Sequence, residues 1–319
     1  MNIKILGIGH FLPNNIITND QLSLELDTND EWIRTRTGIK QRAIAPTDLF
    51  TSDLATEALR KALLDSTLDI DELDGIILAT TTPDLLMPAT AVIVQKKIGM
   101  RKGFAFDVQA ACTGFLYALN IGYSMIKAGQ AKKIAIIGSE TMSRIVNWKD
   151  RKTCVLFGDG AGAVILSKSD PEDGSKIIGI DIYSDGNYLD ILKVNGGISS
   201  GALDSKLEMN GQEVYKFAVE QMYSSINNIL QRSNLSIENI DWLIAHQANY
   251  RILNSLAEKL NISMEKVAIT VDIHANTSAA SIPLALSRYK ELGKIKKSDL
   301  LLLAAVGSGM TWGSAVLNL

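Results

Sequence analysis

The sequence predicts an α/β protein that arose by duplication of one unit. Residues 70–79 (IDELDGIILA) resemble residues 237–246 (IENIDWLIAH) at an offset of 167 residues. Each segment follows a stretch with the apolar spacing of an amphipathic helix and ends in an apolar run of strand length. We therefore expect two similar halves, residues 1–172 and residues 173–319. Chance similarity between two generic helix–strand units is the alternative.

Two later matches keep the same order along both halves. Residues 132–139 (KKIAIIGS) resemble 299–308 (DLLLLAAVGS), and residues 162–166 (GAVIL) resemble 313–317 (GSAVL). Runs such as GIILAT and LLLLAAV are continuously apolar, which is typical of strands covered on both faces. These matches favour a repeated unit of helices packed on buried sheets.

Composition excludes several classes of protein. The chain has 319 residues, of which 46% are hydrophobic and 21% charged, and its net charge is −3. These values are typical of a folded globular protein and lack the basic excess of a nucleic-acid-binding domain. The run 300–306 is too short to span a bilayer, and the N-terminus reaches Pro13 before a signal-peptide core has formed. We expect a cytoplasmic protein that contacts neither membrane nor nucleic acid.

Chemically distinctive residues follow the predicted strands. Cys112 follows FAFDVQAA, His246 follows DWLIA, Asn276 follows VAITVDIHA, and the loop 307–309 (GSG) follows LLLLAAV. Ligands gather at the carboxyl ends of parallel strands. We therefore expect a thiol, an imidazole, an amide and a flexible loop to lie on one side of the molecule.

Two readings of Cys112 stay open on sequence grounds. It precedes an apolar helix predicted over about 113–128, where the helix dipole would favour a reactive thiolate. A free cysteine is also often a small buried apolar residue, which is the reading we prefer for Cys154. No Cys-x-x-Cys or Cys/His ligand spacing occurs, so we expect neither a disulfide nor a metal site.

The remaining polar candidates have structural alternatives. Asn276 begins NTSAAS and is either a site residue or a helix N-cap. His10 is expected in a loop, and His274 is expected to be structural, which leaves His246 as the preferred histidine. The loops 158–162 (GDGAG) and 307–309 are predicted to be tight turns, since neither matches a phosphate-binding motif. The second loop is also suited to present backbone N–H groups to an oxyanion.

A cysteine, a histidine and an asparagine in this order also occur in papain-like proteases. That interpretation is disfavoured, because the chain lacks the C-G-[SA]-C-[WY] run and has the pattern of a duplicated α/β unit.

The motifs together resemble another family over the whole chain. The matching segments are NDEWIRTRTGI (29–39), DVQAACTGF (107–115), LFGDGAGA (156–163), HQANYRI (246–252), NTSAASIP (276–283) and TWGSA (311–315). They are similar to those of the β-ketoacyl-acyl-carrier-protein synthase III family, condensing enzymes of the thiolase superfamily that initiate fatty-acid synthesis. The resemblance implies a thiolase-like five-layered αβαβα fold and a homodimer.

The resemblance also implies the chemistry of this acyltransferase. Cys112 would be acylated by a short acyl-CoA, with acetyl-CoA the best candidate, while the N–H groups of Cys112 and Ser308 hold the oxyanion. His246 and Asn276 would stabilise the enolate formed when malonyl-acyl-carrier protein loses CO₂. No permanently bound cofactor and no metal are implied.

Substrate contacts follow from the same resemblance. The implied coenzyme A contacts are Thr28, Trp32, Arg36, Arg151 and Asn249. The implied carrier-protein contacts are Gln247, Ala248, Asn249, Tyr250, Arg251, Lys216 and Lys259. Met87 would line the acyl pocket of the partner subunit at a place often held by phenylalanine, while Ala275 and Ser308 depart from the usual glycines. Related condensing enzymes with other products, and a non-catalytic acyl-binding protein of this fold, are the alternatives; retention of Cys112, His246 and Asn276 disfavours the latter.

Overall fold

Two mixed β-sheets, one from each half of the sequence, organise the chain. The computed structural model describes residues 2–169, 172, 174–202 and 204–319. The expected boundary between the halves falls after residue 172, and residue 173 lies outside the described residues.

The first half contributes seven strands and five helices among the described residues. They are β1 (Asn2–Phe11), β2 (Ile16–Thr18), α1 (Asn19–Ser23), α2 (Asp30–Thr37), β3 (Gln41–Ala43), α3 (Thr51–Ser66), β4 (Gly75–Ala79), α4 (Thr90–Ile98), β5 (Phe104–Val108), α5 (Gly114–Lys127), β6 (Lys133–Thr141) and β7 (Asp159–Ser169). The larger sheet has the order β1-β7-β6-β4-β5, and β2 pairs with β3 in a small ribbon.

The second half repeats this plan with fewer strands. Its elements are β8 (Lys176–Ser184), β9 (Leu192–Val194), β10 (Leu207–Met209), α6 (Gly211–Arg232), β11 (Trp242–Ala245), α7 (Tyr250–Leu260), α8 (Val271–His274), α9 (Ser281–Glu291), β12 (Leu300–Gly307) and β13 (Thr311–Asn318). The sheet order is β11-β12-β13-β8, and β9 pairs with β10.

Strand pairing confirms the internal repeat. In the first half β4 runs parallel to β6, which is antiparallel to β7. In the second half β11 runs parallel to β12, which is antiparallel to β13. The two segments that match in sequence, 70–79 and 237–246, both form a 3₁₀ turn followed by a strand of these sheets.

Helices cover both sheets and separate them, which gives five layers. Helix α3 packs on β1, β6 and β7, and α4 lies beside it on the outside of the first sheet. Helices α5 and α9 contact strands of both sheets and therefore lie between them. Helix α6 packs on β12 and β13 with α7 beside it. The αβαβα fold expected from the sequence is confirmed.

Helix α5 is apolar because it lies in the middle layer. Phe115, Leu116, Ala118 and Leu119 are fully buried in a core cluster shared with strands of both sheets. Burial of such side chains stabilises the fold by roughly 1.5–3 kcal/mol for each large one. The same packing fixes the start of α5, where Cys112 lies.

Three local expectations are wrong. Residues 158–162 enter strand β7 instead of forming a turn, and Gly162 is needed because a Cβ there would lie 2.7 Å from the backbone N of Leu284 in α9. His10 lies in strand β1 instead of a loop, with Nδ1 2.8 Å from Ser287 Oγ. The strand expected before Asn276 is reduced to an isolated bridge between Val267 and Leu243, because the chain turns into α8 at Val271.

Candidate active site

A cavity of about 1720 Å³ brings together the side chains that the sequence singled out. Cys112, His246 and Asn276 line its inner part, with exposed fractions of 8%, 2% and 6%. Cys112 comes from the turn after β5, His246 from the end of β11, and Asn276 from the loop between α8 and α9. Both halves of the chain therefore contribute to one buried polar cluster.

Cys112 lies in a 3₁₀ turn that is tied to the second half of the chain. Thr113 Oγ1 donates a hydrogen bond to the Thr311 carbonyl, and Thr311 Oγ1 donates to the Ala110 carbonyl, both at 3.1 Å. Burial raises the pKa of the Cys112 thiol to about 12. Burial therefore opposes the thiolate that the helix dipole is expected to favour.

His246 is held as a neutral imidazole. Its Nδ1 lies 2.6 Å from Ser281 Oγ, and its backbone N–H donates to the Ala304 carbonyl at 2.8 Å. Burial lowers the pKa of His246 to about 3. When the Ser281 hydroxyl donates to Nδ1, the proton lies on Nε2, which then acts as a hydrogen-bond donor.

The Asn276 amide is oriented by its own loop. The side-chain oxygen accepts a hydrogen bond from the Ser278 N–H at 2.9 Å. The backbone N–H of Asn276 donates to the Leu156 carbonyl, and its carbonyl accepts from the Gly158 N–H. With its oxygen engaged, the amide has its NH₂ group as the donor for a ligand.

The loop between β12 and β13 forms the turn that the sequence predicts. Ser308 in this turn lines the cavity, and its Oγ donates to the Leu192 carbonyl. Gly307 packs against the turn that carries Cys112, where a Cβ would lie 2.8 Å from the Cys112 backbone N. The thiol and the loop expected to bind an oxyanion are therefore neighbours.

Sequence reasoning missed Glu140, which lies behind this cluster. Glu140 is fully buried on β6 and accepts a hydrogen bond from Ser278 Oγ at 3.0 Å. The signal was available, because an acidic residue in the apolar run IAIIGSET of a buried strand is unusual.

Cationic and aromatic side chains line the outer part of the cavity. Trp32, Arg36, Arg151 and Asn249 are among its lining residues. The guanidinium carbons of Arg36 and Arg151 lie 4.8 Å and 5.2 Å from the centre of the Trp32 ring. Thr28 does not line the cavity, and its buried hydroxyl makes no hydrogen bond within the described residues.

Six of the seven residues expected to contact a carrier protein fall into two groups. Ala248, Arg251 and Lys216 line the cavity, as Asn249 does. Tyr250 is exposed outside it, and Lys259 pairs with Glu220.

Gln247 was also predicted to contact the carrier protein, but its side chain does not lie at the surface. It is fully buried, and its amide bonds the carbonyls of Ala245 and Ala268 and the N–H groups of Thr270 and Val271. Its side chain holds the loop after β11 and presents nothing at the surface.

Comparison with known proteins agrees with the geometry. Residues 106–186 match the family model described as 3-oxoacyl-[acyl-carrier-protein (ACP)] synthase III, and residues 230–319 match its C-terminal model. The chain is 50% identical over 315 residues to beta-ketoacyl-[acyl-carrier-protein] synthase III of Ehrlichia canis, covering 99% of this chain and 98% of that protein. It is 51% identical over 315 residues to the protein of the same name from Wolbachia pipientis, covering 98% of each.

The chain belongs to the 3-oxoacyl-[acyl-carrier-protein] synthase III family. Among solved structures, that of the synthase III from Aquifex aeolicus is similar with a TM-score of 0.95 and 45% identity, covering 99% of this chain and 100% of the other. The synthase III structure from Pseudomonas aeruginosa is similar with a TM-score of 0.95 and 38% identity, covering 100% and 98%.

Met87 lies away from the cavity of this synthase III chain. Met87 is 80% exposed, beside the exposed Leu85 and Leu86. The three residues form an apolar patch ahead of α4 in the single chain.

Two kinds of feature are absent from the part of the chain that the structure describes. Within the described residues, no group of three or more His, Cys, Asp or Glu side chains is arranged to hold a metal ion. No helix in the same part of the chain is long and apolar enough to span a membrane.

Proposed function

We propose that this synthase III chain condenses a short acyl-CoA, with acetyl-CoA preferred, with malonyl-acyl-carrier protein. The product is a β-ketoacyl-acyl-carrier protein, and the reaction starts fatty-acid synthesis. The observation that supports this most directly is the meeting of a thiol, a neutral imidazole and an amide in one buried cavity. The family to which the chain belongs supports the same reaction.

In the first half-reaction Cys112 is the nucleophile. Its sulfur attacks the acyl carbonyl carbon, a C–S bond forms, and the bond to the coenzyme A sulfur breaks, so that an S-acyl-Cys112 intermediate results. The oxyanion of the tetrahedral intermediate is stabilised by the N–H groups of Cys112 and Ser308. The close packing of Gly307 on the Cys112 turn supports this pairing of donors.

In the second half-reaction the negative charge develops elsewhere. Loss of CO₂ from the malonyl thioester leaves an enolate, whose oxygen accepts hydrogen bonds from His246 Nε2 and the Asn276 NH₂ group. Neutral donors that face the developing charge lower the barrier because they bind the enolate more tightly than the substrate. The carbanion then attacks the acyl group, and Cys112 is released.

The residues of the outer cavity wall and of its mouth are suited to bind coenzyme A and the carrier protein, respectively. We assign coenzyme A to the cavity wall formed by Trp32, Arg36, Arg151 and Asn249, where cations and an aromatic ring face an adenine and phosphates. We assign the acidic carrier protein to the mouth near Lys216 and Arg251, where charge would speed encounter.

Two further properties complete the proposal. The apolar patch at Met87 suits a homodimer in which Met87 closes the acyl pocket of the partner subunit. We propose a cytoplasmic enzyme.

Separate assays of the two half-reactions test these roles. We expect Asn276→Ala to take up an acetyl group from acetyl-CoA but to release CO₂ from malonyl-carrier protein roughly 10²–10³ times more slowly, the usual cost of losing one such donor. His246→Ala should show the same loss of CO₂ release. Asn254→Ala is the control, since Asn254 bonds Glu258 on helix α7 outside the cavity. Loss of acetylation together with wild-type CO₂ release in Asn276→Ala would contradict the assignment.

A further inference from the structure

Glu140 is a buried acid with an unusually complete set of donors. It lies on β6 with no exposed surface. Its carboxylate accepts hydrogen bonds from the hydroxyls of Thr80, Thr81, Thr82 and Ser278 and from the N–H of Thr81. None of the ion pairs in the described part of the chain involves Glu140. Burying a carboxylate this deeply costs free energy, which points to a functional role for Glu140.

Ser278 connects Glu140 to the nucleophile. Its Oγ donates to Glu140 Oε1 at 3.0 Å, the turn that carries Ser278 packs against the turn that carries Cys112, and the Ser278 hydroxyl lowers the pKa of the Cys112 thiol. Cys112 and Ser278 both line the cavity, whereas Glu140 lies behind them. Ser278 is therefore the side chain that can connect the thiol to the carboxylate.

The thiol needs a proton acceptor. Burial raises the pKa of Cys112 to about 12, and the charge of Glu140 raises it further, so the resting nucleophile is a neutral thiol. Burial also raises the pKa of Glu140, which makes it a stronger base than an ordinary carboxylate. His246 is poorly suited, because burial lowers its pKa to about 3 and its Nδ1 is occupied by Ser281.

We propose that Glu140 accepts the proton of Cys112 through Ser278 when Cys112 attacks the acyl-CoA. The S–H bond breaks, its proton passes to Ser278 Oγ, and the hydroxyl proton of Ser278 passes to Glu140 Oε1. The sulfur electron pair forms the bond to the acyl carbon. As the coenzyme A thiolate leaves, the proton on Glu140 passes back to Ser278 Oγ, the Ser278 hydroxyl gives its own proton to the coenzyme A sulfur, and the carboxylate is restored.

This assignment rests on the proposed function and adds a division of labour to it. Transfer of the proton neutralises Glu140, so the repulsion between carboxylate and sulfur disappears at the moment the thiolate forms. Ser278 then donates to the sulfur instead of to Glu140. Glu140 and Ser278 serve acylation, while His246 and Asn276 serve decarboxylation.

The pH dependence of alkylation of Cys112 by iodoacetamide tests the proposal without any substrate. Rates are measured from pH 6.5 to 9.5, and peptide mass spectrometry separates Cys112 from Cys154. In the wild type the rate should level off above the pKa of Glu140, because the proton stays within the coupled pair. In Glu140→Gln and in Ser278→Ala the thiol must lose its proton to solvent, so the rate should rise about tenfold per pH unit throughout.

Two controls make the result decisive. Thr80→Val removes a hydroxyl that donates to Glu140 Oε2 at 3.2 Å but lies off the line to Cys112, so its profile should still level off. Circular dichroism checks folding, and Ser278→Ala decides the matter if Glu140→Gln does not fold. The proposal would be overturned if the alkylation rate levelled off in Glu140→Gln and Ser278→Ala, or if it rose about tenfold per pH unit in the wild type. It would also be overturned if His246→Ala were the only variant whose rate rose about tenfold per pH unit. A wild type that shows the expected profile but takes up no acetyl group would instead refute the proposed function.

Discussion

Gly307 lies directly against the turn that carries Cys112. A Cβ at Gly307 would approach the backbone N of Cys112 to 2.8 Å and that of Thr113 to 2.9 Å. The contact joins the end of β12 in one half of the chain to the start of α5 in the other.

The first prediction follows from this contact. Gly307→Ala should displace the Cys112 turn and its N–H groups, and slow acetylation by roughly 10²-fold, the lower end of the cost of one lost oxyanion donor. Rapid-quench mass spectrometry with acetyl-CoA measures this rate. Gly186→Ala is the matched control, since a Cβ at Gly186 meets nothing within 4 Å. Equal rates in the two variants would show that the close approach is unimportant.

The second prediction concerns coenzyme A. Arg36 lines the cavity, whereas Arg34 lies on the same helix outside it and pairs with Asp30. Arg36→Ala should raise the KM for acetyl-CoA about tenfold with little change in kcat, because it removes binding shared by ground and transition states. Arg34→Ala should leave both constants unchanged. A similar effect of the two substitutions would argue against the proposed binding wall.

The third prediction concerns the acyl chain. Met is an adaptable side chain, so Met87→Phe should narrow the pocket of the partner subunit and shift the preference toward shorter primers. A panel of acyl-CoA thioesters, scored by the acyl masses retained on the protein, measures that preference. Leu64→Phe, at an exposed position on α3, is the control. An unchanged primer preference in Met87→Phe would show that Met87 does not line the acyl pocket.

The fourth prediction concerns stability at low pH. Burial lowers the pKa of His246 to about 3, and burial followed by the charges of His10 and Arg288 lowers that of His274 to about 4. The unfolded chain binds their protons below about pH 6.5, so each histidine stabilises the fold fully above that pH and progressively less as the pH falls toward 4. His274→Gln should remove one such contribution, about 2 kcal/mol between pH 7.5 and pH 5.

Urea unfolding of the wild type and of His274→Gln at both pH values measures this effect. The wild type should lose more free energy of unfolding than the variant when the pH is lowered. Equal losses would mean that His274 titrates normally in the folded chain.

Much of the fold was predictable from the sequence because buried strands leave long apolar runs and the duplicated unit repeats them. The position of His246 at the end of β11 followed directly from such a run. The segment before Asn276 has a similar apolar pattern, but it does not form a strand equivalent to β5. It pairs with the sheet only at Val267, and the chain then forms α8.

The electrostatics of the site were less predictable, because they depend on burial and on contacts between distant segments. The dipole of α5 favours a thiolate at Cys112, but burial, which the sequence did not reveal, raises the pKa of the thiol to about 12. The proposed role of Glu140 depends on its hydrogen bond with Ser278, which is 138 residues away in the sequence.

The central claim is that Cys112 carries the acyl group, and intact mass spectrometry with peptide mapping after incubation with acetyl-CoA tests it most directly. Burial raises the pKa of Cys154 to about 11, and Cys154 does not line the cavity, so it serves as the internal control. The account predicts one added acetyl group on the wild type, mapped to Cys112, and none on Cys112→Ser. Acetylation mapped to Cys154, or retained in Cys112→Ser, would contradict it.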